Sequence, residues 1–438
     1  MTKISVIGGG LAGCEAAWQL AQREIPVTLY EMKPQRFSPA HSNPDLAELV
    51  CSNSLRADRP TNAAGLLKEE MRALDSLIMA AAETTKVAAG NALAVDRHAF
   101  AREITEKIET HPLITIIRQE ITELPEEGMV IIASGPLTSE ALTSALEPLV
   151  GESLYFYDAT APIVAADSID YSIAFRANRY AEEGEMADYL NCPLDKEQYL
   201  KLIQTIGKGD LVRGRNFEDE KVFEGCMPIE AMVARGPQTL AFGPLKPKGL
   251  KDPKTGREAY ATVQLRSENQ EQTMFNLVGF QTRLTFPWQE KIIRLIPGLE
   301  KAEILRFGTM HRNTFVDAPR VLNKFFQHQK ESRIFFAGQI SGVEGYPEST
   351  ASGLIVALQV AALVNEQKLF TFPETTALGA LSTHISNAHS KNFQPMNINF
   401  GLLPPLEGKK RRKRERIEAY VERARRDLKT ARQSLPVA

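Results

Sequence analysis

Cysteine is scarce in this chain of 438 residues. Cys14, Cys51, Cys192 and Cys226 stand far apart with no C-x-x-C pair, so the spacing supports neither a zinc site nor a disulfide framework, and no metal is expected. An uninterrupted apolar run of the ~20 residues that a membrane span requires is also missing. The N-terminus lacks the basic, apolar and small-residue succession of a secretory leader and enters a strand at once, so the expected compartment is the cytoplasm, with no membrane partner. No fixed-period repeat occurs, and no feature marks an obligate protein partner. With 43% hydrophobic and 24% charged residues the composition is that of an ordinary globular chain, long enough for two domains.

The net charge of −2 hides a segregation. From Gly408 to Ala438 twelve Lys/Arg face four acids, which is +8 on 31 residues and leaves −10 on the rest. Its densest part is Lys409, Lys410, Arg411, Arg412, Lys413 and Arg414. A basic tail on an acidic body is the footprint of a polyanionic partner such as RNA, against the plainer reading of a solvated helix face.

What the chain does have is concentrated at its start. Ile4 to Ile7 reads as a buried parallel strand, followed by Gly8, Gly9, Gly10, Leu11, Ala12 and Gly13 in G-x-G-x-x-G spacing and then an Ala/Leu-rich helix. Gly8 permits the tight turn, Gly10 lets the backbone approach a pyrophosphate, and Gly13 lets the helix pack close on the strand. The helix N-terminus presents free N–H groups to the phosphates. A second apolar run from Ile25 ends in Glu31, placed for the ribose hydroxyls of an adenine dinucleotide.

Further along, Leu66 to Ala82 has the spacing of one amphipathic helix, and Met129 to Gly135 reads as a buried strand returning to the cofactor. The alternation of strand and helix breaks down around Asp158 to Asp170. Arg333 to Val364 restores strand, glycine turn and helix, with Ala337, Gly338 and Gln339 where FAD proteins of the two-dinucleotide-binding type often carry A-G-D. The expected fold is therefore α/β: a discontinuous Rossmann-like FAD-binding domain, 1–165 and 300–438, interrupted by a smaller α+β insertion domain, 166–299. Tyr346 follows these glycines, so its ring is placed either against a flavin or in the core. Cys51 and Cys226 lie among polar and turn-forming residues, as a reactive thiolate would, whereas Cys14 and Cys192 read as packing residues.

The stretches VIGGGLAGCEAAWQLA, ELVCSNSLRAD, GLLKEEMRALDSLIM, ALAVDR, FEGCMPIEAM, RGPQTLAFGPLKPKGL, NLVGFQTRL, MHRNTF, FFAGQISGVEGY and NFQPMNINFGLLPPL together resemble the folate- and FAD-dependent tRNA uracil-5 methyltransferases, the TrmFO family, relatives of GidA-type flavoproteins. They span nearly the whole chain. Cys14, where a Ser-like residue is usual, and Pro347, where a β-branched one is, depart from the pattern.

The resemblance implies methylation of uracil C5 in the T loop of tRNA. It implies 5,10-methylenetetrahydrofolate as carbon donor, reduced FAD as reductant, and NADH or NADPH as electron source. By resemblance Cys226 adds to uracil C6 and Cys51, near the flavin, accepts the C5 proton; the exchanged assignment fits the sequence as well. Two further readings stay open: the same chemistry on a ribosomal RNA uridine, and a non-catalytic FAD-containing RNA-binding protein.

Overall fold

A computed structural model describes residues 2–151, 154–159, 161–179, 187–212, 227–269, 272–308, 310–386, 393, 395–407, 412–433 and 435. Its centre is a five-stranded parallel sheet in the order Ile334–Phe336, Met129–Ile132, Ile4–Ile7, Val27–Glu31, Ile114–Arg118. These strands are short and mostly apolar, as strands covered on both faces must be. Because the chain fills one side of Ile4–Ile7 first and the other side later, the strand order reverses there. That reversal opens a crevice at the carboxyl ends of the strands, where ligands bind in such sheets.

Two helices close over the crevice. Leu11–Ala21 follows the first strand, and the long helix Tyr346–Val364 crosses it. The crossing depends on small residues: a Cβ on Gly353 would stand 2.2 Å from the Ala12 carbonyl oxygen, and one on Gly13 would stand 1.8 Å from that of Gly8. Tyr346–Val364 is long and apolar enough to cross a membrane, but most of it is buried in the core. Pro347 fits at the start of this helix because the first turn has no intrahelical acceptor for its missing N–H. Cys14 donates its thiol to the Gly9 carbonyl at 3.3 Å, the bond a serine would make.

A second sheet, antiparallel throughout, runs Phe175–Arg176, Leu190–Leu194, Ala261–Ser267, Met274–Leu277, Ile163–Ala165, Ile304–Arg306. It has its own apolar core, separate from that of the parallel sheet. Its strands at 163–165 and 304–306 lie just beyond the expected 166–299 at either end. The chain leaves the first body through Leu154–Ala159 and returns through Met310–Phe315, and these two strands pair antiparallel.

The spacing from Leu66 to Ala82 predicts one helix, but two form, Ala63–Arg72 and Leu77–Thr84. Asp75 turns left-handed at φ 56°, and Ser76 caps the new start by accepting from the Met79 N–H. Its hydroxyl also donates to buried Glu15 at 2.8 Å, so a local polar contact overrides an apolar period that continues on both sides.

The C-terminal helix Lys413–Arg432 docks through Val421, Ala424 and Leu428, spaced to lie on one face. Arg425 forks onto Glu69 at 2.6 and 2.8 Å. Arg412, Arg414, Arg416 and Arg426 face solvent.

Candidate functional site

A cleft of about 490 Å³ lies at the carboxyl ends of the parallel strands. Every strand of that sheet contributes to it through the segment that follows: Gly8 to Ala12, Met32 and Lys33, Gln119 to Ile121, Ala133 to Ser139, and Gly338 with Gln339. Of the residues expected to hold a cofactor, Gly8, Gly9, Gly10, Leu11, Ala12, Glu31, Gly338, Gln339 and Tyr346 line it. Gly13 does not; it serves the close helix packing described above.

The glycines divide by what a side chain would meet. Gly8 sits at φ 108°, and its Cβ would press on the Ala133 carbonyl oxygen at 2.5 Å, so the fold itself requires it. Gly10 is different: nothing lies within 4 Å of its Cβ position, and its φ of −78° suits any residue. Open space at the start of a helix, rimmed by backbone N–H groups, fits a dinucleotide pyrophosphate. Glu31 is held by two backbone donors, Gly9 N–H at 2.8 Å and Lys33 N–H at 2.9 Å, with lone pairs left for ribose hydroxyls. Buried Lys33 donates to the carbonyls of Asn43 and Asp45 and to Glu48 at 3.3 Å, closing that end.

At the other end the start of the long helix enters the cleft. Gly345 caps it at φ 105°. Gln339 donates its amide to Glu344, and Asn397 donates to the Glu344 carbonyl at 2.7 Å. Tyr346 does not use its hydroxyl for core packing: its Oη accepts the Cys51 N–H at 3.0 Å and lies 3.0 Å from the Cys51 sulfur. Burial, then the neighbouring Cys51 charge, push the Tyr346 phenol well above its ordinary pKa, so it stays protonated. Cys51 is only half-buried and opens on the cleft. Cys14 and Cys192 are fully buried, and burial pushes both thiols up, Cys192 to about 12, which leaves them inert.

Cys226, Lys409, Lys410 and Arg411 lie outside the described residues, as does the Lys413 side chain. Both flanks of the stretch carrying Cys226 are bonded to one segment of the second body: Val212 N–H donates to the Arg283 carbonyl at 2.9 Å, and Ile229 N–H to that of Gln281 at 2.7 Å. Among the described residues no group of His, Cys, Asp and Glu is arranged to hold a metal.

Sequence reasoning gave no role to several residues at this end of the cleft. Arg56, Arg266, Asn313, Glu344 and Asn397 all line it. Arg56, left-handed at φ 67°, pairs with fully buried Glu348 at 2.6 Å. Arg266, from the second sheet, donates to Asn53 Oδ1 at 3.0 Å and Ser52 Oγ at 2.7 Å, so the segment after Cys51 is held from the other body. Most of these residues sit in the stretches that carry the family resemblance, which was their only signal.

A family model described as glucose inhibited division protein A matches residues 3–368. The chain is 57% identical over 425 residues to the methylenetetrahydrofolate–tRNA-(uracil-5-)-methyltransferase TrmFO of Geobacter sulfurreducens, covering 97% of this chain and 98% of that protein. It is 56% identical over 431 residues to the protein of the same name from Syntrophotalea carbinolica, covering 98% and 94%. Among solved structures it resembles Aquifex aeolicus GidA in its form II crystal with a TM-score of 0.71, at 15% identity, over 98% of this chain and 73% of that one. That likeness carries the fold alone.

Proposed function

The chain belongs to the glucose inhibited division protein A family and, within it, to the TrmFO enzymes, and from that premise we propose that it methylates uracil C5 in the T loop of tRNA, with 5,10-methylenetetrahydrofolate as carbon donor. The observation that carries this reading is the thiol of Cys51, fixed by Tyr346 at one end of a dinucleotide cleft. FAD, held through Gly8 to Ala12, Glu31, Gly338 and Gln339, supplies when reduced the two electrons that turn a methylene into a methyl.

The protein's own residues do the rest. Uracil C5 is a poor nucleophile until a thiolate adds to C6, which pushes an electron pair onto C5. Cys226 makes that bond. Once C5 has taken the one-carbon unit, its remaining proton must leave, and Cys51 accepts it. The target uridine leaves its place in the T loop and enters between the second body, which carries Cys226, and the FAD body, which carries Cys51. NADH or NADPH would supply the electrons for that reduction, and the compartment is the cytoplasm. The test is nucleoside analysis after incubation with labelled methylenetetrahydrofolate, FAD and NAD(P)H, on tRNA and ribosomal RNA side by side. Label in tRNA 5-methyluridine is expected, and label confined to ribosomal RNA would move the target.

The basic tail supplies the phosphate contacts. Apolar docking of Lys413–Arg432 leaves Arg412, Arg414 and Arg416 pointing at solvent, where a backbone can reach them. Each neutralised phosphate releases counterions, giving a slope of log affinity on log salt of about −0.7 to −0.9. Changing Lys410, Arg412, Arg414 and Arg416 to Gln should flatten the slope for tRNA by about 3 while flavin content stays unchanged. An unaltered slope would leave the tail as a solvated helix.

A further inference from the structure

Cys51 lies at the seam between the two bodies, and guanidinium groups reach it from both. Arg97, at the start of the helix Arg97–Glu109, donates Nη1 to the carbonyls of Leu49 at 2.7 Å and Val50 at 3.2 Å, the residues just before the cysteine. Its Nη2 crosses the seam to Glu268 at 2.7 Å, a buried pair with side chains 9% and 2% exposed. Arg266 holds Ser52 and Asn53, just after the cysteine. Asn53 in turn donates to the carbonyls of Val95 and Ser267, one from each body. The segment around the thiol is thus held in part by groups that meet only when the two bodies pack together.

A third arginine completes the group. Arg306 ends a short strand of the second sheet, and its Nε and Nη2 are buried without a hydrogen-bond partner among the described residues. Its guanidinium lies in the field of Arg97, Glu268, Tyr346 and Cys51. Among the described residues Glu268 is the carboxylate that acts on both Arg97 and Arg306, and its own Oε1 is buried there without a hydrogen-bond partner. Among the described residues, buried Arg97 and Arg266 and half-buried Arg306 against Glu268 leave an excess of positive charge beside Cys51. Such a charge costs several kcal/mol unless an anion answers it. Tyr346 is not that anion, because burial and then the neighbouring Cys51 push its phenol well above its ordinary pKa; its hydroxyl lies 3.0 Å from the Cys51 sulfur. The remaining group is the thiol.

We propose that Arg306, together with Arg97, holds Cys51 as a thiolate before substrate arrives, making Arg306 a positioning residue for the proton acceptor. The S–H proton goes to solvent. In the reaction the sulfur pair forms a new S–H bond as C5–H breaks, and the C5–H pair becomes the π bond from C5 to the transferred carbon, expelling that carbon's carrier. The inference rests on Cys51 being the proton acceptor.

The experiment uses the FAD-loaded protein and iodoacetamide, with alkylation of the Cys51 peptide followed by mass spectrometry from pH 5 to 10. In the wild type the midpoint should fall well below the ~8.5 of an ordinary thiol. Arg306→Gln should raise it by about one pH unit or more, cutting alkylation at pH 6.5 about tenfold, and Arg306→Lys should restore most of it. Glu268→Gln removes that carboxylate, so it should move the midpoint the other way, downward. The acid limb of kcat for methylation should follow each shift, with KM for RNA unchanged. An unmoved midpoint in Arg306→Gln, or an upward shift in Glu268→Gln, would overturn the proposal. Because alkylation reads the thiolate whether or not RNA is methylated, a failure of the functional reading shows separately, as Cys51→Ala protein that still methylates.

Discussion

Cys226→Ala protein should form no covalent adduct with RNA containing 5-fluorouridine and should not methylate RNA, whereas Cys51→Ala should form the adduct and still fail to methylate. The order of the chemistry dictates this split. Addition of a thiolate to C6 comes first and needs no base at C5; removal of the C5 proton comes afterwards and does. Fluorine at C5 cannot depart as a proton does, so the reaction stops at the thioether, visible as a protein–RNA band that survives denaturation. Losing a positioned base lowers a rate by about 10²–10⁴-fold, so Cys51→Ala should fall by that range in single-turnover methylation. No other described cysteine can stand in, because Cys14 and Cys192 are buried and their thiols are pushed up. Adduct in Cys226→Ala but not in Cys51→Ala would exchange the two roles. No adduct in wild type would remove nucleophilic catalysis.

The cofactor end of this site is readable from sequence because its determinants are local. Strand, glycines, helix and Glu31 lie within 31 residues, and each position answers a local need: a tight turn, a close approach of ligand or helix, or a carboxylate for the ribose. The reacting end is not local. Cys51 and Tyr346 are 295 positions apart, Arg97 and Glu268 are 171 apart, and Arg266 and Asn53 are 213 apart. No periodicity links such pairs; they meet because the second sheet is laid against the first body. Tyr346 shows the limit well. Its position after the glycines marks it as near the cofactor, yet the use of its hydroxyl on Cys51 depends on where an unrelated loop comes to rest. The broken helix between Arg72 and Leu77 fails for a milder reason, since Ser76 ends one helix and starts the next without disturbing the apolar spacing.

Gly10→Val should give a folded protein that has lost its flavin, and this outcome separates the phosphate-binding role of the glycine turn from its structural role. Space is free on the protein side: nothing lies within 4 Å of the Cβ position, and the backbone at φ −78° accepts valine without strain. The added methyls therefore enter only the volume the pyrophosphate needs, at the N–H groups that begin Leu11–Ala21. Flavin affinity should drop at least a hundredfold, about 2.8 kcal/mol. The thermal midpoint should stay within a few degrees of wild-type protein stripped of FAD. Gly13→Val is the control of opposite kind, since its Cβ would stand 1.8 Å from the Gly8 carbonyl oxygen and force strand and helix apart. That variant should lose the fold along with the flavin. The measurements are flavin absorbance per protein and the melting curve of each variant. Gly10→Val protein that folds and keeps its full complement of FAD would show that the pyrophosphate does not lie against this turn, and the cleft would have to be read in another orientation.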